Sequence, residues 1–87
     1  MSSFHYVYLL QNKTGNWYTG CTSDLKRRIK QHNDGNSPYT STRGPYRLIY
    51  YEACLSKSDA FRREKYLKSG MGKRYLKNRL KDSLEDS

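Results

Sequence analysis

Apolar residues make up only 34% of this 87-residue chain, and nine of them are tyrosines. A core drawn from so small a supply must use many rings with a polar tip, whose hydroxyls need partners or water. No apolar run is long enough for a membrane span. The opening Met1-Ser2-Ser3-Phe4-His5 lacks the basic stretch of a signal peptide, so the chain reads as cytoplasmic with no membrane partner. Cysteine is scarce too: Cys21 and Cys54 have no CxxC spacing and supply no disulfide framework, and reduced, partly buried thiols are expected. Adding His5 and His32 reaches a zinc site's ligand count, but no pair has a zinc-type spacing. Acidic residues are also few, 8 against 17 Lys and Arg, for a formal net charge of +9. That excess points to a polyanion, most simply nucleic acid, although ribosome-associated and membrane-surface proteins share it.

A chain this long accommodates one domain, burying about 60% of its unfolded surface. Residues 1–81 are read as that domain and 82–87 as an acidic, frayed tail. Phe4 to Gln11 alternates as a strand, with Phe4, Tyr6, Tyr8 and Leu10 on one face and His5, Val7 and Leu9 on the other. Asn12 to Asn16 is a turn, and Trp17 to Thr22 is the returning strand. Asp24 or Ser23 caps a helix to about Asn33, and a loop follows from Asp34 to Pro45. Tyr46 to Ala53 reads as a third strand. Ser56 or Ser58 opens a second helix that Ser69-Gly70 ends, and Met71 to about Ser83 forms a third. The predicted architecture is α+β in the order β-β-α-β-α-α, a small three-stranded, mainly antiparallel sheet flanked by helices.

Helical phase singles out two places. Rotation by about 100° per residue puts Ala60, Phe61 and Leu67 on one stripe with Glu64 in its middle, while Arg62 and Lys65 point away. A carboxylate on a core-facing stripe needs a compensating cation, an Arg or a metal. In the first helix Leu25 and Ile29 define the buried stripe; Arg28 and His32 lie beside it, one turn apart, where both reach an anion at the sheet edge. Arg27 points to solvent. Tyr6, Tyr8 and Tyr18 occupy the hairpin strands, and Gly20 permits close approach of a backbone or ligand. Taken singly, these tyrosines are explained as well by core filling.

In their order, Tyr6-Val7-Tyr8, Tyr18-Thr19-Gly20, Leu25-Lys26-Arg27-Arg28 with His32, and Arg63-Glu64 resemble the GIY-YIG nuclease superfamily, and most closely its small single-domain bacterial, YhbQ-like members. The similarity spans about residues 4 to 80. Tyr6 stands where the name-giving glycine would be and Thr19 where the second isoleucine would be. Asn78 is a loose counterpart of an asparagine that many nuclease members carry.

The resemblance implies a metal-dependent endonuclease hydrolysing a phosphodiester in DNA, in repair or recombination, with RNA left open and room for a protein partner that supplies specificity. Glu64 would hold Mg2+ or Mn2+, which suit oxygen ligands. Arg28 would clamp the phosphate. Tyr18, or else Tyr8, would orient or deprotonate the water, with His32 adjusting the local proton balance. A free phenol has a pKa near ~10, so a tyrosine base needs nearby cations. Basic residues crowd the last two helices, and Arg63, Lys68, Lys73 and Arg74 among them are expected on the nucleic-acid backbone. Tyr39 and Arg43 are expected on a flanking nucleotide. The competing reading is a catalytically inactive nucleic-acid-binding module on the same fold, which has no physical need for Glu64 beside an anion-binding face.

Overall fold

The computed structural model describes residues 3–34 and 45–85. Tyr39 and Arg43, assigned to nucleic acid from sequence, lie outside the described residues. Three strands, β1 (His5–Asn12), β2 (Trp17–Thr22) and β3 (Tyr46–Cys54), combine with four helices, α1 (Leu25–Asn33), α2 (Lys57–Leu67), α3 (Gly70–Arg79) and α4 (Lys81–Glu85). The sheet is antiparallel in the order β2-β1-β3, so β1 is central and β2 is an edge. Among the described residues no helix is long and apolar enough to cross a membrane.

The alternation along β1 sorts its side chains between two cores. Val7 and Leu9 join Ala60, Leu67, Leu76 and Leu80 under α2 and α3, while Tyr8 and Leu10 join Tyr46, with Leu25 and Ile29 of α1 packed on them. A bulge in β3 pairs Tyr50 with Leu9 and Leu48 with Leu10, so Ile49 is an additional residue and both Ile49 and Tyr50 pack on the α2 side. The hairpin turn is built by Asn12, whose Oδ1 accepts the backbone N–H groups of Thr14 and Asn16, and by Gly15 at φ 88°.

Side-chain caps decide where the helices start. Asp24 accepts from the Arg27 N–H, Ser56 from that of Asp59 and Ser69 from that of Gly72, which settles the two starts the sequence left open. Gly70, expected only to end the second helix, also opens α3, because Ser69 caps the next helix at once. The stretch from Asp82, expected to fray, is helical as far as Glu85: the Leu84 N–H donates to the Leu80 carbonyl and Leu84 packs on the core.

The setting of α2 determines what reaches the rest of the molecule. Ala60 and Leu67 are buried against the sheet. Arg63 and Glu64 lie about 50° to either side of the line joining them. Arg63 turns toward β3 and makes a bidentate pair with Glu52, at 2.8 and 2.9 Å. Its guanidinium also stacks on the rings of Tyr66 and Tyr75, at 5.3 and 4.9 Å from their centroids. The Tyr50 hydroxyl donates to Glu52 at 2.8 Å. Burial would raise the Glu52 carboxyl, but hydrogen bonds from Arg63 and Tyr50 carry it below the usual carboxylate range. Arg63, expected on nucleic acid, is therefore engaged in holding α2 to β3. Phe61, expected in the core, is 50% exposed, because it lies about 100° round the helix from Ala60.

Two stability predictions follow from this packing. Arg63→Met leaves Glu52 partly buried without its main donor, and should lower the unfolding free energy in urea by about 1–3 kcal/mol. Gly72 sits where α3 crosses the end of α2, and a Cβ there would overlap the Tyr66 carbonyl and the Leu67 backbone. Gly72→Ala should cost a similar amount, about 1–3 kcal/mol, in the same measurement.

Candidate active site along the β2 edge

Tyr8 faces Gly20 across the β1–β2 ladder. A Cβ at Gly20 would overlap the Tyr8 ring, so the glycine makes room for that ring to lie over β2. Tyr8 itself is 1% exposed. Its hydroxyl lies 2.9 Å from His32 Nε2 and accepts from Arg28 Nε at 3.4 Å. Arg28 can only donate, so the Tyr8 oxygen accepts from it, and a neutral His32 protonated on Nδ1 takes the Tyr8 proton at Nε2 as a hydrogen bond.

Burial, offset in part by the Arg28 hydrogen bond, pushes the Tyr8 phenol up to about 12, and the neighbouring Tyr18 and the Glu64 carboxylate add to the rise. Burial, with the neighbouring Arg28 charge, lowers His32 below its ordinary 6.5, in keeping with an imidazole that accepts at Nε2. Tyr18 sits edge-on to the His32 ring at 4.8 Å and beside Tyr8 at 6.4 Å. The Tyr8 hydrogen bond does most to hold the Arg28 proton, and Tyr18 contributes to the same effect. Gln31, which the sequence did not mark, fixes the other end of the guanidinium by accepting from Nη1 at 3.1 Å.

Glu64 approaches β2 from α2, on the opposite face of the sheet from Tyr8. Its side chain is 18% exposed and pairs with Lys68 at 3.0 Å. The cation that compensates it here is thus a lysine one turn along α2, where an arginine or a metal was expected. No three His, Cys, Asp or Glu side chains converge to hold a metal among the described residues. One carboxylate of this kind still suits a hard divalent cation that keeps most of its water and takes substrate oxygens. Cys21 and Cys54 are free, half-buried thiols.

Of the residues expected in catalysis, Tyr8, Tyr18, Arg28 and His32 form one contiguous group. Glu64 joins it at the β2 edge through its field on Tyr8. Lys68 and Lys73 line a groove of about 390 Å3 with Trp17, Tyr18 and Thr19. Arg74 is exposed one residue further along α3 and lines neither this groove nor the neighbouring one that contains Arg28. That second groove also holds Lys57 and Phe61, which sequence reasoning missed as a pair. A stricter phase count from Ala60 and Leu67 places both, with Glu64 and Lys68, on the β2 side of α2. A larger concavity of about 620 Å3 lies at the hairpin end, between Gln11, Lys13, Tyr46 and Arg47. It contains none of the predicted catalytic residues.

The buried imidazole makes stability depend on pH in a definite sense. Below about 6.5 the unfolded chain binds a proton that folded His32 resists, so this contribution is present above that pH and is lost as pH falls through the lower folded value. The His32 ring resonances should titrate below 6.5 by NMR, and His32→Asn should flatten the fall in melting temperature on acidification from neutral pH.

A family profile described as the GIY-YIG catalytic domain matches residues 4–81. Among similar proteins, UPF0213 protein BH0048 of Halalkalibacterium halodurans is 46% identical over 81 residues, covering 92% of this chain and 80% of the relative. UPF0213 protein SH2523 of Staphylococcus haemolyticus is 43% identical over 74 residues, 84% of this chain and 90% of that protein. The solution NMR structure of the UPF0213 protein BH0048 from Bacillus halodurans aligns at a TM-score of 0.53 and 47% identity, covering 84% of this chain and 81% of the other. The profile takes in all three strands, the Tyr8–Arg28–His32 group and Glu64, and the chain belongs to the GIY-YIG family of nuclease domains.

Proposed function

We propose that the protein is a metal-dependent endonuclease that hydrolyses phosphodiester bonds in DNA. One observation carries the reading: a guanidinium held by a buried tyrosine–histidine pair stands at the same sheet edge as a second tyrosine and a half-buried carboxylate. A core has no need of that combination, whereas phosphoryl transfer requires a positioned cation, a water-orienting group and a place for a metal.

Arg28 binds the scissile phosphate and offsets the charge that develops on it. Tyr8, buried and hydrogen-bonded to His32, is a positioning residue: its oxygen fixes Arg28 Nε, and its raised pKa leaves too little phenolate at neutral pH to serve as the base. Tyr18, nearer the surface, orients the attacking water and takes its proton. Glu64 would hold Mg2+ or Mn2+, which supplies Lewis-acid stabilisation of the leaving oxygen; Lys68 would then be released from Glu64 to the backbone of the substrate. Lys73 and Arg74 add phosphate contacts with little sequence preference.

The Glu64–Lys68 pair favours a second reading, an inactive nucleic-acid-binding module, since it balances the carboxylate without a metal. Nicking assays on labelled single-stranded, nicked and branched DNA with Mg2+ or Mn2+ separate the two. The native protein should nick. Glu64→Gln should abolish nicking and leave salt-sensitive binding in place. Arg28→Ala should lower the rate by about 10²–10³-fold, and Arg28→Lys should not restore it, because a lysine lacks the fork. Gly20→Ala, which displaces the Tyr8 ring from Arg28, should slow nicking by a comparable factor. Equal nicking by the native protein and Glu64→Gln refutes the site; binding without nicking by the native protein supports the module.

A further inference from the structure

Phe61 is half exposed, three residues before Glu64 on the same side of α2. Exposed apolar side chains are common singly, so exposure alone assigns nothing. The surroundings of this ring are more telling. It lines an open groove of about 400 Å3 together with His5, Thr22, Ser23, Arg28 and Lys57. The two cations come from helices on opposite faces of the sheet, and among the described residues no carboxylate lines the groove. Lys57 Nζ stands 5.6 Å from the Phe61 ring centroid. An aromatic surface beside two phosphate-binding cations is the combination that binds an unpaired nucleotide: the ring stacks on a base and the cations take the phosphates on either side. A protein surface docking on Phe61 would instead have to cover both Arg28 and Lys57, a desolvation cost that a phosphate offsets by pairing with them.

Building on the nuclease reading, we propose that this groove is a nucleotide subsite, in which Phe61 stacks on an unpaired base next to the phosphate held by Arg28 and Lys57 takes the following phosphate. The substrate class it selects is a single strand, or a strand locally unpaired at the cut. A base kept inside a duplex is stacked on its neighbours and offers no free face to the ring.

Binding is measured without divalent metal, by fluorescence anisotropy of a short labelled oligothymidine and of a blunt duplex, for the native protein, Phe61→Leu, Phe61→Trp and Tyr51→Leu. Tyr51 is also half exposed but lies outside this groove, and circular dichroism checks that each variant is folded. Stacking is worth about 1–3 kcal/mol per base, so Phe61→Leu should weaken oligothymidine binding about tenfold. Phe61→Trp should retain it, and neither Tyr51→Leu on the oligonucleotide nor Phe61→Leu on the duplex should show the loss. Unchanged oligonucleotide binding by Phe61→Leu, an equal loss on the duplex, or an equal loss in Tyr51→Leu overturns the proposal. Nicking assays keep the two readings apart. If Glu64→Gln abolishes nicking while Phe61→Leu alters neither binding nor nicking, the subsite alone fails. If the native protein and Glu64→Gln nick alike while the stacking effect is present, the nuclease site fails and the subsite stands.

Discussion

The roll of α2 about its own axis is set by the bidentate pair between Arg63 and Glu52, and the direction in which every other α2 side chain points depends on it. Ala60 and Leu67 bring the helix onto the sheet, but two small contact points on a cylinder leave rotation weakly defined. The pair adds a directional lock on the β3 side, reinforced by Tyr50, Tyr66 and Tyr75. With that side fixed, Lys57, Phe61, Glu64 and Lys68 have one direction left, toward β2. Adjacent residues in the sequence, Arg63 and Glu64, thereby face different strands, β3 and β2.

The opposite face solves a different problem. Tyr8 belongs to a core that also contains Leu10 and Tyr46, yet its hydroxyl must meet Arg28 and His32. Gly20 resolves this, because a strand residue without a side chain lets a core ring extend over its neighbour to the sheet edge. Burial keeps the phenol protonated and the imidazole neutral, so Arg28 carries the group's positive charge, held from two sides by Tyr8 and Gln31.

Much of this was legible in the sequence for identifiable physical reasons. The period-two alternation of Phe4 to Gln11 gave the faces of β1, turn residues marked the hairpin, and helical phase marked Glu64, Arg28 and His32 as unusual. The misreadings share a cause, which is that phase along one helix says what is unusual but not which neighbour answers it. Glu52 is distant in sequence, so Arg63 looked like one more basic residue for phosphate. Phe61 was placed in the core because a phenylalanine near an apolar stripe is expected there, although its angle from Ala60 already put it on the flank. The helical turn at the C-terminal end was missed because the acidic residues around Leu84 suggested fraying, and the contact that orders it is tertiary.

An edge strand leaves a row of backbone donors and acceptors unmet, and another copy of the chain could complete them by adding a strand. Here β2 and β3 are the two edges of the sheet, and Lys57, Lys68 and Lys73 stand along β2 from the neighbouring helices. A second copy adding its own β2 in the same way would bring these like charges together. Charge repulsion among those lysines therefore opposes strand addition at β2.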